Sequence, residues 1–320
     1  EQSCADDPGD TRRIERLKSI QRDSLLKVGR DGRYFFAPVT LDELIGLRQQ
    51  YPDASLLAGG TDVGLWVTKQ QRRPAHLIYT GHVPELLQTR ITDDHIEVGA
   101  AVPMTEAAAL ITTHYPDLGQ LFTRFASPPV RNVATLGGNI ANASPVGDSM
   151  PPLMVLNARV VLQGSNSQRE VSLEDFYLDY MVTALKEDEV LVSVKVPLPD
   201  AASQLRCYKV SKRFDQDISA LCMAFNAHLD DGVVTSIRVA AGGLAAIPKR
   251  ASACEAAMTG QPWNAATIKA GMQALNDDFE PIDDLRASAA YRLKCAQNLV
   301  KRFHLETTED KDYSVYAYGR

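Results

Sequence analysis

The chain has 320 residues, 45% of them hydrophobic and 23% charged, with a formal net charge of −6. That length holds two or more packed units, and the apolar share excludes a mainly disordered protein. The acidic balance argues against a general nucleic-acid binder, which needs clustered Lys and Arg, and no apolar run reaches the roughly 20 residues that cross a bilayer.

In chain order, the opening "EQSCADDPGD" is polar and turn-rich and reads as a linker. Glu1 in place of Met points to a piece of a longer polypeptide, and no signal-peptide core is present. "IERLKSIQ" forms a short helix. Thr40 and Glu43 have capping-box spacing, so a helix starts there and ends before Pro52. "ASLLAGG", 54–60, is a short buried strand that runs into a glycine turn, and this order gives a small βαβ-like unit ending near residue 90.

"HIEVGAAV", 95–102, reads as a strand, and "MTEAAALITTHYP" as a helix beginning near Thr105. "LGQLFTRFASPPVRN" is a helix stopped by Pro128 and Pro129. "ATLGGNIANASPVGDSMPP" then has little periodicity and much Gly, Asn, Ser and Thr, the mark of a long functional loop. "ARVVLQG" is a strand, and "DEVLVSVKVPLP" alternates as a half-buried strand does. The Pro-bracketed "VPLPDAAS" is the best domain boundary. Beyond it, residues 221–248 form two strands around an Asp231-Gly232 turn, and the remainder is mainly helical. Ala289, Leu293, Ala296, Leu299 and Phe303 recur at helical spacing and read as core packing.

The five cysteines, Cys4, Cys207, Cys222, Cys254 and Cys295, have no C-x-x-C spacing, and the six histidines form no H-x-H or H-E-x-x-H. They read as isolated thiols in a reducing compartment, with no metal site within this chain and a cytoplasmic location. No G-x-S-x-G elbow surrounds Ser144.

Gly59-Gly60-Thr61-Asp62 brings a backbone turn without Cβ bulk to where a ligand can approach its amides. Gly137-Gly138-Asn139 repeats the device. Together, with Thr135, Asn142 and Asp148 nearby, they can cradle a diphosphate and hydrogen-bond sugar hydroxyls. The pattern is not G-x-G-x-x-G, and single Gly-Gly turns more often serve structure alone. The residues by themselves indicate a nucleotide or dinucleotide binder.

"LLAGGTDVGLWVTK", "FASPPVRNVATLGGNIANASPVGDSMPP", "LEDFYLDYMVTAL" and "YKVSKRFDQDISA" together resemble the FAD-bearing part of the molybdenum hydroxylase family. Within it they are similar to the small subunit of bacterial two-subunit xanthine dehydrogenases. The likeness runs in order over residues 33–307, and the second motif is highly specific. It implies an α+β fold: a two-subdomain, PCMH-type (vanillyl-alcohol-oxidase-like) FAD-binding domain at 33–200, with subdomains 33–92 and 93–200. A smaller α+β domain of the CO dehydrogenase flavoprotein C-terminal type follows at 203–307, between a linker at 1–32 and a tail at 308–320.

By the same resemblance, Leu56, Leu57, Ala58, Gly59, Gly60, Thr61, Asp62 and Val63 wrap the FAD diphosphate. Phe125, Thr135, Gly138, Asn139, Asn142 and Asp148 complete the pocket, with Val190, Leu191 and Lys209 against the cofactor. Tyr180 borders the nicotinamide approach, and the loop 211–217, with Gln216, governs NAD access; read without the family, that loop is a mixed-charge solvated turn. No catalytic side chain is implied, because electrons from a molybdenum centre pass through iron–sulfur clusters to FAD and on to NAD. The molybdopterin-binding large subunit and the 2Fe-2S clusters are expected on partner chains or on domains that were cut away.

Two departures stand out. Pro128-Pro129 replaces residues that usually keep a backbone N–H, and Met181-Val182 replaces a common basic pair, which weakens attraction for a dinucleotide phosphate. The alternatives are a flavin subunit acting with carbon monoxide, aldehyde or N-heterocycle hydroxylases, a stand-alone flavin reductase, and a non-catalytic module that only holds partners. The intact glycine loops speak against the last, and the long linker leans toward xanthine dehydrogenase.

Overall fold

The computed structural model describes residues 8–309 and 313. Residues 1–7 of the linker, with Cys4, and 310–312 and 314–320 of the tail lie outside the described residues. Helix α1 (Pro8–Ser19) precedes strands β1 (Leu26–Arg30) and β2 (Arg33–Ala37). These form a hairpin around Asp31 and Gly32, whose φ values of 54° and 76° suit a two-residue turn matched to strand twist. Then come α2 (Leu41–Gln50), β3 (Ser55–Leu57), α3 (Val63–Thr68) and β4 (His76–Tyr79). The Thr40 hydroxyl accepts from the Glu43 amide, as the spacing predicts, while the Glu43 carboxylate accepts from Val39 N–H. The sheet order is β1-β2-β4-β3, with β4 parallel to both neighbours.

The second unit contains β5 (Thr89–Ile91), β6 (His95–Gly99), α4 (Met104–His114), α5 (Gly119–Arg124), α6 (Pro128–Arg131), α7 (Leu136–Ala141) and α8 (Met150–Val155). It continues through β7 (Arg159–Gln163), β8 (Gln168–Ser172), α9 (Leu173–Phe176), β9 (Tyr177–Asp179), β10 (Val182–Thr183) and β11 (Val190–Pro197). Its main sheet is antiparallel, in the order β5-β6-β11-β7-β8. Three expectations change here. The helix after residue 118 stops at Arg124, because Ala126 turns into the left-handed region (φ 46°); Pro128 and Pro129 do not stop it but begin α6, where a missing N–H costs nothing. The long polar loop contains α7 and the start of α8, short helices set by the Thr135 cap and by prolines in the first turn of α8. Strand β11 is buried on both faces, Ser193 included, because Val190 and Val192 pack against the first unit while Leu191 and Val194 pack into the second.

The third unit is the antiparallel sheet β12 (Ser203–Val210), β13 (Leu221–Asp230), β14 (Val233–Gly242) and β15 (Lys249–Arg250), followed by α10 (Ser252–Met258), α11 (Ala265–Asp278) and α12 (Ala289–Thr308). Alternation along β13 sends Cys222 and Ala224 toward the second unit and Leu221, Met223 and Phe225 toward the helices. On α12, Ala296, Leu299 and Phe303 are buried and Phe303 stacks on Phe225, whereas Ala289 and Leu293 are only half-buried. Glu174 of α9 takes Arg238 and Arg250 of the third sheet, at 2.7 and 2.9 Å, and so ties the second and third units together. Among the described residues no helix is long and apolar enough to cross a membrane.

Candidate functional site

The two glycine segments meet at one cavity of about 380 Å³, within the roughly 300–1,000 Å³ of small-molecule sites. The first wall is the turn that carries β3 into α3. Gly60 has φ 69°, and a Cβ on Gly59 would lie 1.7 Å from the Val133 carbonyl oxygen, so the two segments touch through backbone. The amides of Gly59, Gly60, Thr61 and Asp62 donate to no acceptor among the described residues. Four such donors in succession at a cavity wall make a cradle for an anion.

The second wall is α7. Thr135 Oγ1 accepts from Gly138 N–H at 2.9 Å, and Asn139 Oδ1 accepts from the Ser149 hydroxyl at 2.6 Å, which fixes the carboxamide's orientation. Gly137 packs on Ala100, where a Cβ would come within 2.5 Å. We expect Thr135→Ala to remove the cap at a cost of about 1 kcal/mol and to loosen Gly138; chemical denaturation together with flavin affinity measures both effects.

Phe125 and Ala126 form the third wall. Arg131 Nη1 donates to the carbonyls of Thr123, Phe125 and Ala126 at 3.1, 2.6 and 2.9 Å, which holds the left-handed turn in place. Arg124, next to Phe125, points the other way and anchors the 211–217 loop. It donates to Phe214 O and Lys209 O, both at 2.9 Å, and to Ser211 Oγ at 3.1 Å.

Leu56, Ala58, Gly59, Gly60, Thr61, Asp62, Val63, Phe125, Thr135, Gly138, Asn139, Asn142 and Leu191 all line the cavity. Six residues implied by the resemblance do not. Leu57 alternates away from Leu56 on β3 and supports the Gly60 turn from beneath, 3.6 Å from where a Cβ would sit. Val190 alternates away from Leu191 into the core between the first two units. Asp148 and Lys209 are consumed by each other: Lys209 Nζ meets Asp148 Oδ2 at 2.5 Å, and the Ser219 hydroxyl bridges both. Tyr180 is 59% exposed at the β9–β10 tip, and Gln216 sits at φ 56° in the tethered loop; neither borders the cavity.

The four described cysteines are free thiols, as expected, but two of them are neighbours. Cys207 and Cys222, on adjacent strands, bring their sulfurs to 3.8 Å, and the contact with Cys207 together with burial pushes the Cys222 thiol well above its ordinary range. Lining residues missed from the sequence include Trp66, Thr80 and Ala126, while Gly137, read as part of the second glycine device, does line the cavity. Trp66 was legible in principle, since it stands four residues after Asp62, the spacing of neighbours on a helix.

Residues 27–199 match the family described as FAD binding domain in molybdopterin dehydrogenase, and residues 206–307 that described as CO dehydrogenase flavoprotein C-terminal domain. The chain is 30% identical over 280 residues to the nicotinate dehydrogenase FAD-subunit of Eubacterium barkeri, covering 85% of this chain and 95% of that protein. Against the putative xanthine dehydrogenase FAD-binding subunit of Escherichia coli it is 30% identical over 267 residues, 82% and 91% of the two. It aligns with the xanthine dehydrogenase of Emericella nidulans at 30% identity over 91% of this chain but spans only 23% of that longer protein. Among solved structures, carbon monoxide dehydrogenase from Hydrogenophaga pseudoflava superposes with a TM-score of 0.80 at 30% identity, over 86% of this chain and 96% of that one.

Proposed function

The chain belongs to the FAD-binding family of molybdopterin dehydrogenases, and from that premise we propose that it is the flavin subunit of a molybdenum hydroxylase of the xanthine dehydrogenase kind, with NAD as electron acceptor. The observation that carries this reading is the meeting of the two glycine segments at one cavity, with four amides lacking any acceptor among the described residues beside Thr135, Asn139 and Asn142. In it, the Gly59–Asp62 amides hold the FAD diphosphate, and the hydroxyl and carboxamide groups take the ribityl and ribose hydroxyls. Phe125, Leu185 and Leu191 supply apolar surface that keeps water from the ring system. FAD supplies a carrier that accepts electrons singly and releases them in pairs, as an iron–sulfur donor and NAD together require.

The iron–sulfur protein and the molybdopterin-binding large subunit are partners in this reading. NAD access is assigned in this reading to the 211–217 loop, which Arg124 fastens through Phe214 O and Ser211 Oγ. A cytoplasmic location belongs to the same proposal. A second reading, a flavin subunit acting with a carbon monoxide or nicotinate hydroxylase, is favoured by the equal identity to those relatives over nearly their whole length.

Anaerobic titration of the purified chain with NADH tests the proposal. A flavin spectrum that bleaches at one NADH per flavin is the expected result. A flavin spectrum that stays oxidised even with partner chains present removes NAD and favours the second reading. If added FAD is not retained at all, the flavin assignment fails.

A further inference from the structure

Trp66 stands at the cavity beside the four amides of the Gly59–Asp62 turn, and its placement is over-determined. Its indole N–H donates to Asp62 Oδ2 at 3.0 Å, which fixes the ring's rotation. The Arg72 guanidinium lies 5.4 Å from the ring centroid, and the Arg72 amide donates to Trp66 O at 2.8 Å. A cation over an indole occupies that face and adds electrostatic hold on the ring. Trp66 lies one helical turn beyond the Gly59–Asp62 cradle, on α3. An aromatic side chain held by Asp62 and Arg72 and set next to an anion cradle is placed to receive a planar ring joined to the bound phosphate.

We infer that Trp66 stacks on a heteroaromatic ring of the bound dinucleotide, and that Asp62 and Arg72 position the indole for it. The inference rests on the FAD reading above and deepens it, because it assigns recognition of the ring to a residue outside the glycine motifs. The two ends of Asp62 thereby divide the work: its amide belongs to the cradle, and its carboxylate accepts from the indole N–H.

The test uses the full chain stripped of flavin. The chain has two tryptophans, Trp66 and Trp263, so W263F reports Trp66 alone. ADP is transparent where indole is excited, and saturable quenching of W263F emission by ADP supports stacking on the adenine. Flavin emission that is quenched on binding to the wild-type chain and recovers in W66L supports stacking on the isoalloxazine. In either case W66A weakens FAD binding by about tenfold, and W66F restores most of the loss. FAD bound with unchanged Trp66 emission under ADP, unchanged flavin emission in W66L and undiminished affinity in W66A overturns the inference and leaves the FAD reading standing. Failure of the wild-type chain to bind FAD at all overturns both.

Discussion

Gly59→Val yields a chain that no longer retains FAD and that loses about 3 kcal/mol of stability. The reason is local and steric. A Cβ at this position would lie 1.7 Å from Val133 O, 2.3 Å from its carbonyl carbon and 2.8 Å from Ala134 N. All three are backbone atoms, so no rotamer change relieves the overlap; either the turn after β3 or the segment entering α7 must move. Both segments line the cavity, so relief of the clash separates the two walls of the cradle. Gly64→Ala is the matched control. That glycine lies in α3 with nothing within 4 Å of where a Cβ would sit, and alanine there improves helix propensity by about 0.5–1 kcal/mol. The ratio of flavin to protein after gel filtration, read together with the thermal midpoint, separates the two variants. A Gly59→Val protein that keeps stoichiometric flavin would sink the two-segment cradle.

Legibility of this fold followed the range of the interactions. Signals that act over a few residues were readable: the Thr40 cap, the Asp231-Gly232 hairpin and the Ala296, Leu299 and Phe303 part of the α12 core face appear where the spacing puts them. The β1–β2 hairpin carried the same Asp-Gly signal at Asp31-Gly32 and was available to the same argument. Short helices were not readable, because six residues such as 136–141 give too little periodicity, and their glycines and asparagines read as loop. At the site, the glycine motifs located the cavity, but which side of a strand faces it depends on what packs behind. Leu56 and Leu191 face it while Leu57 and Val190 turn away. Trp66 and Arg131 act through partners that only the folded chain assembles.

Lys209→Met lowers the unfolding free energy by about 3–5 kcal/mol while leaving the FAD affinity of the folded protein unchanged. The family resemblance gives Asp148 and Lys209 to the cofactor, whereas the structure closes them on each other with side chains 7% and 2% exposed. The pair joins the segment between α7 and α8 to strand β12, and Ser219 donates to Asp148 Oδ1 at 2.6 Å while it accepts from Lys209 Nζ at 2.8 Å. Removing the ammonium leaves a buried carboxylate with one hydroxyl donor, and an uncompensated buried charge is the costly case. Replacing the whole cluster is different in kind. Asp148→Leu with Lys209→Met and Ser219→Ala leaves no orphaned charge or hydroxyl, and it recovers most of the stability lost by Lys209→Met alone. Denaturant titration of both variants, with flavin affinity measured under native conditions, reads the two effects separately. If Lys209→Met instead loses FAD at undiminished stability, the ammonium belongs to the cofactor, and the ion pair describes only a chain that has yet to bind it.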